Sequence, residues 1–116
     1  MEASSNHRVV RAEELELRPY EFLALAAGHP LRLTVHELTL LQALMERSGR
    51  IVAREELYRA AWGRAYRSED RSVDVYVAKL RVKLESAIPG RRFIHTHFGF
   101  GYRFDPEPRP ALLPVG

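Results

Sequence analysis

The chain has 116 residues, 46% of them hydrophobic and 28% charged, which fits one small domain with a real core. It has no cysteine, which excludes disulfide staples, thiolate metal sites and a cysteine nucleophile. The formal charge is +3 and acids cluster early, at Glu13, Glu14, Glu16 and Glu21, while cations dominate from Arg59 onward; such asymmetry points to a face that meets a polyanion.

The opening MEASSNHRVVRAEE has no hydrophobic signal core, and no apolar run is long enough to span a membrane; a cytoplasmic protein is expected. Residues 1–10 show no periodicity and read as a flexible N-terminus. The runs LELRP, YEFLALAAG and HPLRL between Leu15 and Leu33 are β-like, punctuated by Pro19 and Gly28-His29, and predict a small antiparallel sheet. Thr34-Val35-His36-Glu37 is a capping box, with Leu33 and Leu38 placed to staple it. Leu38, Leu41, Leu44 and Met45 continue it as one apolar helical stripe, and Ser48-Gly49 ends it.

Ile51-Val52 reads as a short strand. Arg54 to Ala61 reads as a second helix with Leu57, Tyr58 and Ala61 inward, although Ala53 stands where a capping side chain is usual. Trp62-Gly63 closes it, and Arg64 to Asp70 is a polar loop. Asp70 is placed to cap a third helix, Arg71 to about Ser86. There Val73, Val77, Leu80 and Leu84 face the core. The opposite side carries Arg71, Ser72, Val75, Ala78, Lys79 and Val82, flanked by Tyr76, Arg81 and Lys83. Pro89-Gly90 is a turn, Arg92 to His97 and Gly101 to Phe104 form a hairpin, and the Pro-rich residues 105–116 read as a flexible tail.

The predicted fold is therefore α+β: a winged helix-turn-helix over residues 11–104, with an N-terminal antiparallel sheet, three helices and a C-terminal β-hairpin wing. A third helix of this kind can lie in the major groove of DNA. Arg71, Lys79 and Arg81 reach phosphates or guanine acceptors; Val75 and Ala78 are small enough for close approach, and Val75 can touch a thymine methyl. The bland alternative is a solvated charged face; the hairpin that follows favours DNA.

These residues carry a family resemblance. Leu33-Thr34 with Glu37, GRIVAREEL from Gly49, Trp62-Gly63, RSVDVYVAKLRVKL from Arg71, then Ile94, Thr96 and GFGYRF from Gly99 stand in order over about two thirds of the chain. Together they resemble the DNA-binding effector domain of OmpR/PhoB-type winged-helix response regulators. The resemblance implies a recognition helix over Arg71 to Glu85 and a wing over His97 to Tyr102. It implies that Arg71, Ser72, Val75, Tyr76, Lys79 and Arg81 meet the major groove or its phosphates. It also implies that Thr96 and Tyr102 meet backbone near the wing, and that Arg54 lies near phosphate. The loop from Trp62 to Asp70, with Arg64, Tyr66, Arg67 and Glu69, is implied to touch RNA polymerase. Asp74 reads as an internal partner, because a carboxylate beside phosphate is repelled and the first helical turn favours it.

Three residues depart from the family pattern. Tyr76 replaces a histidine, Ala78 a basic residue, and Phe98 the arginine that the family inserts into the minor groove. Phe98 and Phe100 either wedge against sugars or pack on the sheet, and His97 or Arg103 is left to supply the missing charge. The implied partners are double-stranded DNA with tandem direct-repeat half-sites, a second copy on that DNA, and a receiver domain not contained in this chain. The chain is thus expected to be an effector domain of a longer bacterial transcription regulator.

Two other classes compete with this reading. His95 and His97 share a strand face that could hold zinc, but no third ligand, carboxylate pair or Ser-His-Asp order accompanies them; no metal, cofactor or enzyme activity is expected. The second is a winged helix that docks on protein, with DNA binding weak or lost. RNA is disfavoured, because its deep major groove excludes a helix.

Overall fold

A computed structural model describes residues 8–63 and 70–109. Four short strands come first: β1 (Val10–Ala12), β2 (Leu15–Arg18), β3 (Leu23–Ala26) and β4 (His29–Pro30). They form an antiparallel sheet in the order β1-β2-β3-β4. Alternation sets its two faces. Leu15 and Leu17 are fully buried, while Glu16 between them accepts from Arg11 and Arg18. In β3 the small residues Ala24 and Ala26 face inward.

The sheet differs from expectation in three places. Val10 already pairs, with Leu17, so the N-terminal strand begins inside the segment expected to be flexible. The YEFLALAAG run is not one strand: Pro19–Glu21 forms a 3-10 turn, and Phe22 adopts a left-handed φ of 51° before β3. Proline presets the helical φ that starts such a turn. In HPLRL the strand is only His29–Pro30, with the Leu31 amide still donating to Ala24 O at 2.8 Å.

Helix α1 (Val35–Glu46) starts at the expected capping box. The Glu37 amide donates to Thr34 Oγ1 at 3.2 Å, and the Thr34 amide donates to Glu37 Oε1 at 2.8 Å. Leu40 and Ala43 are buried along with Leu38, Leu41, Leu44 and Met45, so the helix buries more than the single stripe expected. It sits between the first sheet and the two later helices, α2 (Arg54–Trp62) and α3 (Ser72–Ala87). Gly49 takes a left-handed φ of 88°, and its amide donates to Phe104 O at 2.9 Å.

The second sheet has the order β5-β7-β6, from β5 (Ile51–Val52), β6 (Arg91–His97) and β7 (Gly101–Pro108). A register shift near Phe93 breaks the alternation of β6, so Phe93 and Ile94 are both buried though adjacent. β7 runs past Phe104: Glu107 pairs with Arg92 and Pro108 with Arg91. Residues 105–108 therefore belong to the hairpin and not to the tail. Beyond Arg103 no β5 residue pairs with this stretch. A proline's missing amide hydrogen is tolerated on such an open edge. Leucines of β2 and all three helices meet Phe93 and Phe104 in one core. Among the described residues, no helix is long and apolar enough to cross a membrane.

Candidate nucleic-acid interface

Helix α3 begins at Ser72 with Arg71, not the expected Asp70, at the N-cap; Asp70, one residue earlier, still accepts the Ser72 amide through Oδ1 at 2.8 Å. Val73, Val77, Leu80 and Leu84 are buried. The other side stands in water: Arg71, Val75, Ala78 and Lys79 are exposed, and Val82 is 68% exposed. Ser72, Tyr76 and Arg81 are half-buried at its margins. One face of the helix is thus cationic at its edges and small and apolar along its middle.

Tyr76 does not simply replace a polar reader. Its hydroxyl lies 3.3 Å from His36 Nδ1, and its ring joins those of His36 and Trp62. Trp62 stacks on Tyr58 with centroids 5.2 Å apart. Trp62 is therefore the last residue of α2 and part of this aromatic cluster, not a loop residue. Lys79 Nζ lies 5.0 Å from the Tyr76 centroid, a cation–π contact that steadies the ammonium on the exposed face. Arg64, Tyr66, Arg67 and Glu69 lie outside the described residues.

Four residues expected to face DNA, Arg54, Arg81, Thr96 and Tyr102, also make bonds within the domain that join α2, α3 and the hairpin. Arg54 Nε donates to Asp74 Oδ1 at 2.7 Å, and the Tyr102 hydroxyl donates to the same oxygen at 2.5 Å. The Tyr102 ring is contacted by two guanidinium groups, those of Arg54 at 5.2 Å and Arg81 at 5.6 Å. Arg81 in turn donates through Nε and Nη2 to Ile94 O at 3.1 and 3.0 Å, and through Nη2 to Thr96 Oγ1. These contacts bracket α3 between α2 and the hairpin. Asp74 is the internal partner that its sign and place suggest. Burial pushes the Asp74 carboxyl up, but the Tyr102 hydroxyl and the Arg54 guanidinium outweigh it and hold it below the ordinary range. Burial and the adjacent Asp74 charge raise Tyr102.

A second anchor has no signature in the local sequence. Glu37 is only 2% exposed. Besides capping α1 it accepts from Lys83 Nζ at 2.6 Å, and Lys83 also donates to Arg32 O at 2.9 Å. Burial raises the Glu37 carboxyl, and the Lys83 and Thr34 hydrogen bonds bring it below its ordinary value. Only the tertiary fold brings residues 37 and 83 together. Arg91 bonds Glu13 and Glu14, so part of the early acidic cluster is paired with the hairpin.

The hairpin tip is a tight turn in which the Phe100 amide donates to His97 O at 2.8 Å and Gly99 has a φ of 83°. Phe98 and Phe100 are 86% and 71% exposed, so packing on the sheet is excluded. His97 Nε2 accepts from Arg103 Nε at 3.1 Å, and Arg103 also bonds Asp105 and Glu107. His95 Nε2 lies 2.8 Å from Asp105 O.

A three-helix core, a small sheet on each side and a hairpin fixed beside an exposed cationic helix define a winged-helix domain. The family model described as "Transcriptional regulatory protein, C terminal" matches residues 28–104, and the chain belongs to that family. Curated relatives include the transcriptional regulatory protein AfsQ1 of Streptomyces coelicolor, 40% identical over 79 residues (68% of this chain, 35% of AfsQ1). The phosphate regulon regulator PhoB of Escherichia coli is 37% identical over 98 residues (83% of this chain, 42% of PhoB). The chain thus spans well under half the length of either relative. Among solved structures, the DNA-binding domain of CpxR from E. coli superposes with a TM-score of 0.76 at 31% identity, covering 84% of this chain and 95% of that one. The RstA DNA-binding domain of Klebsiella pneumoniae, in complex with the RstA box, gives 0.74 at 28% identity, covering 84% and 97%. The resemblance to OmpR/PhoB-type effector domains therefore holds in sequence and in fold.

Proposed function

We propose that this domain binds double-stranded DNA sequence-specifically, as the effector domain of a transcription regulator. The observation that carries the reading is the face of α3. Arg71, Val75, Ala78 and Lys79 are exposed together on a helix whose other side is wholly in the core. A helix with that face fits the major groove, its cations reaching phosphates or guanine edges and its small residues allowing close approach. RstA, solved on its own DNA box, has the same architecture, which supports the reading.

In this reading Arg71, Ser72, Val75 and Lys79 are direct contacts. Arg54, Arg81, Thr96 and Tyr102 act chiefly by holding the wing against the helix, with their outer edges available to phosphate. His97 lies at the wing. A single module of this size covers roughly 600–1,000 Å² on DNA, so useful affinity calls for two copies on repeated half-sites. A receiver domain elsewhere in the regulator and a polymerase contact through the loop after Trp62, residues 63–70, complete the proposal.

The test is selection of bound sequences from a random duplex pool, then titration of the winner at two salt concentrations. A repeated short motif with a steep salt slope is expected. A docking domain that has lost DNA gives no enrichment and no slope. Arg71→Ala is expected to weaken binding by at least about 1 kcal/mol and to flatten the salt slope by about one ion. Unchanged affinity at matched salt removes Arg71 from the interface.

A further inference from the structure

We propose that the wing of this domain engages DNA through an apolar wedge, the phenyl rings of Phe98 and Phe100, pressed into the minor groove next to the site occupied by α3. The inference rests on the DNA-binding reading above. These are among the most exposed large hydrophobic side chains of the described residues, at 86% and 71%, and the fold makes no use of them. They flank Gly99 in a turn closed by the bond from the Phe100 amide to His97 O.

The tip is stiff. Gly101 has a φ of 145°, and a Cβ there would stand 2.0 Å from Val52 O, so the root of the wing is pressed against the β5 backbone. Little ordering cost remains when such a tip is buried. The tip is also placed. Arg81 fastens α3 to Ile94 O and Thr96, and Tyr102 fastens Asp74 to β7. At about 3.3 Å per residue, the rings stand roughly 7 Å beyond the Thr96–Tyr102 pair. With α3 in a major groove, these bonds carry the hairpin to the duplex together with the helix.

Charge settles the kind of contact. The hairpin cation closest to the tip along the chain, Arg103, is already bonded to His97, Asp105 and Glu107, and Arg81, which reaches Thr96, is bonded there and to Ile94 O. The wing therefore offers the duplex ring surface. Apolar side chains enter minor grooves as wedges that part a base step and bend the helix. Pyrimidine–purine steps open most easily, so one is expected where the wing lands.

The experiment uses the duplex enriched by selection, with 2-aminopurine at the step flanking the α3 half-site. Wild type, Phe98→Ala, Phe100→Ala and the double variant are titrated at two salt concentrations, and melting temperatures are recorded. The rings are exposed, so all variants are expected to melt with wild type. Wild type is expected to brighten the 2-aminopurine; the double variant is expected to lose that brightening and about tenfold or more in affinity, at an unchanged salt slope. Equal affinity and equal brightening in the double variant overturn the wedge while leaving DNA binding by α3 intact. Normal binding to one half-site with lost cooperativity across two also overturns it, by assigning the rings to a second copy. If wild type binds no duplex, the DNA-binding reading itself fails and the wedge with it.

Discussion

Gly101 is fixed by its surroundings twice over. Its φ of 145° is strained for any other residue, and the Val52 carbonyl leaves no room for a side chain. Gly101→Ala is expected to destabilise the domain by about 2 kcal/mol or more, read as a lower urea midpoint. Glu37 is the second residue whose role exceeds its motif. Lys83→Met leaves its buried carboxylate short of a partner and is expected to cost about 1–3 kcal/mol. Glu37 and Asp74 are both held below their unfolded values. Their contribution is therefore complete above the unfolded carboxylate range and is lost as pH falls through the folded values. Stability is expected to decline below about pH 4, and Glu37→Gln is expected to shallow that decline in urea titrations across the range.

At the scale of elements, the decisive feature is how α3 and the hairpin are joined. Asp74 and Arg81 lie two turns apart on one side of α3, and both reach across to the hairpin, to Tyr102 and to Ile94 and Thr96. Arg54 brings α2 into the same junction. A recognition helix and a wing that bind as one body need this kind of fastening. Tyr102→Phe keeps the ring beside the two guanidinium groups and removes only the hydroxyl. It is expected to cost about 1–2 kcal/mol in stability. It is also expected to weaken DNA binding without changing the salt slope, in contrast to Arg71→Ala. Titration of both variants at two salt concentrations separates the positioning role from the contact role. A flattened slope in Tyr102→Phe would instead make the tyrosine a phosphate contact.

Across the whole molecule, most elements obey local rules and were legible from them. The capping box at Thr34, the glycine after α1, the core positions of α3 and the exposed face opposite them all follow from spacing of 3 and 4 and from cap chemistry. Less legible were the first sheet and the end of the hairpin. Phe22 and Pro106 contradict strand propensity, and only pairing with neighbours decides where such strands begin and end. A domain with one such face is expected to bind paired half-sites far more tightly than one. Inserting five base pairs between them rotates the second site by about half a turn and should abolish the gain, measured by comparing the two duplexes. The kind and order of the helices, and the side of α3 that meets solvent, were readable along the chain because both are set within a few residues. The cations, by contrast, sort into two groups only in the packed fold. Arg71 and Lys79 remain on the open face, while Arg54 and Arg81 are drawn into bonds with residues 20 and 13 positions away. No periodicity encodes those bonds, since they form only once separate elements have packed.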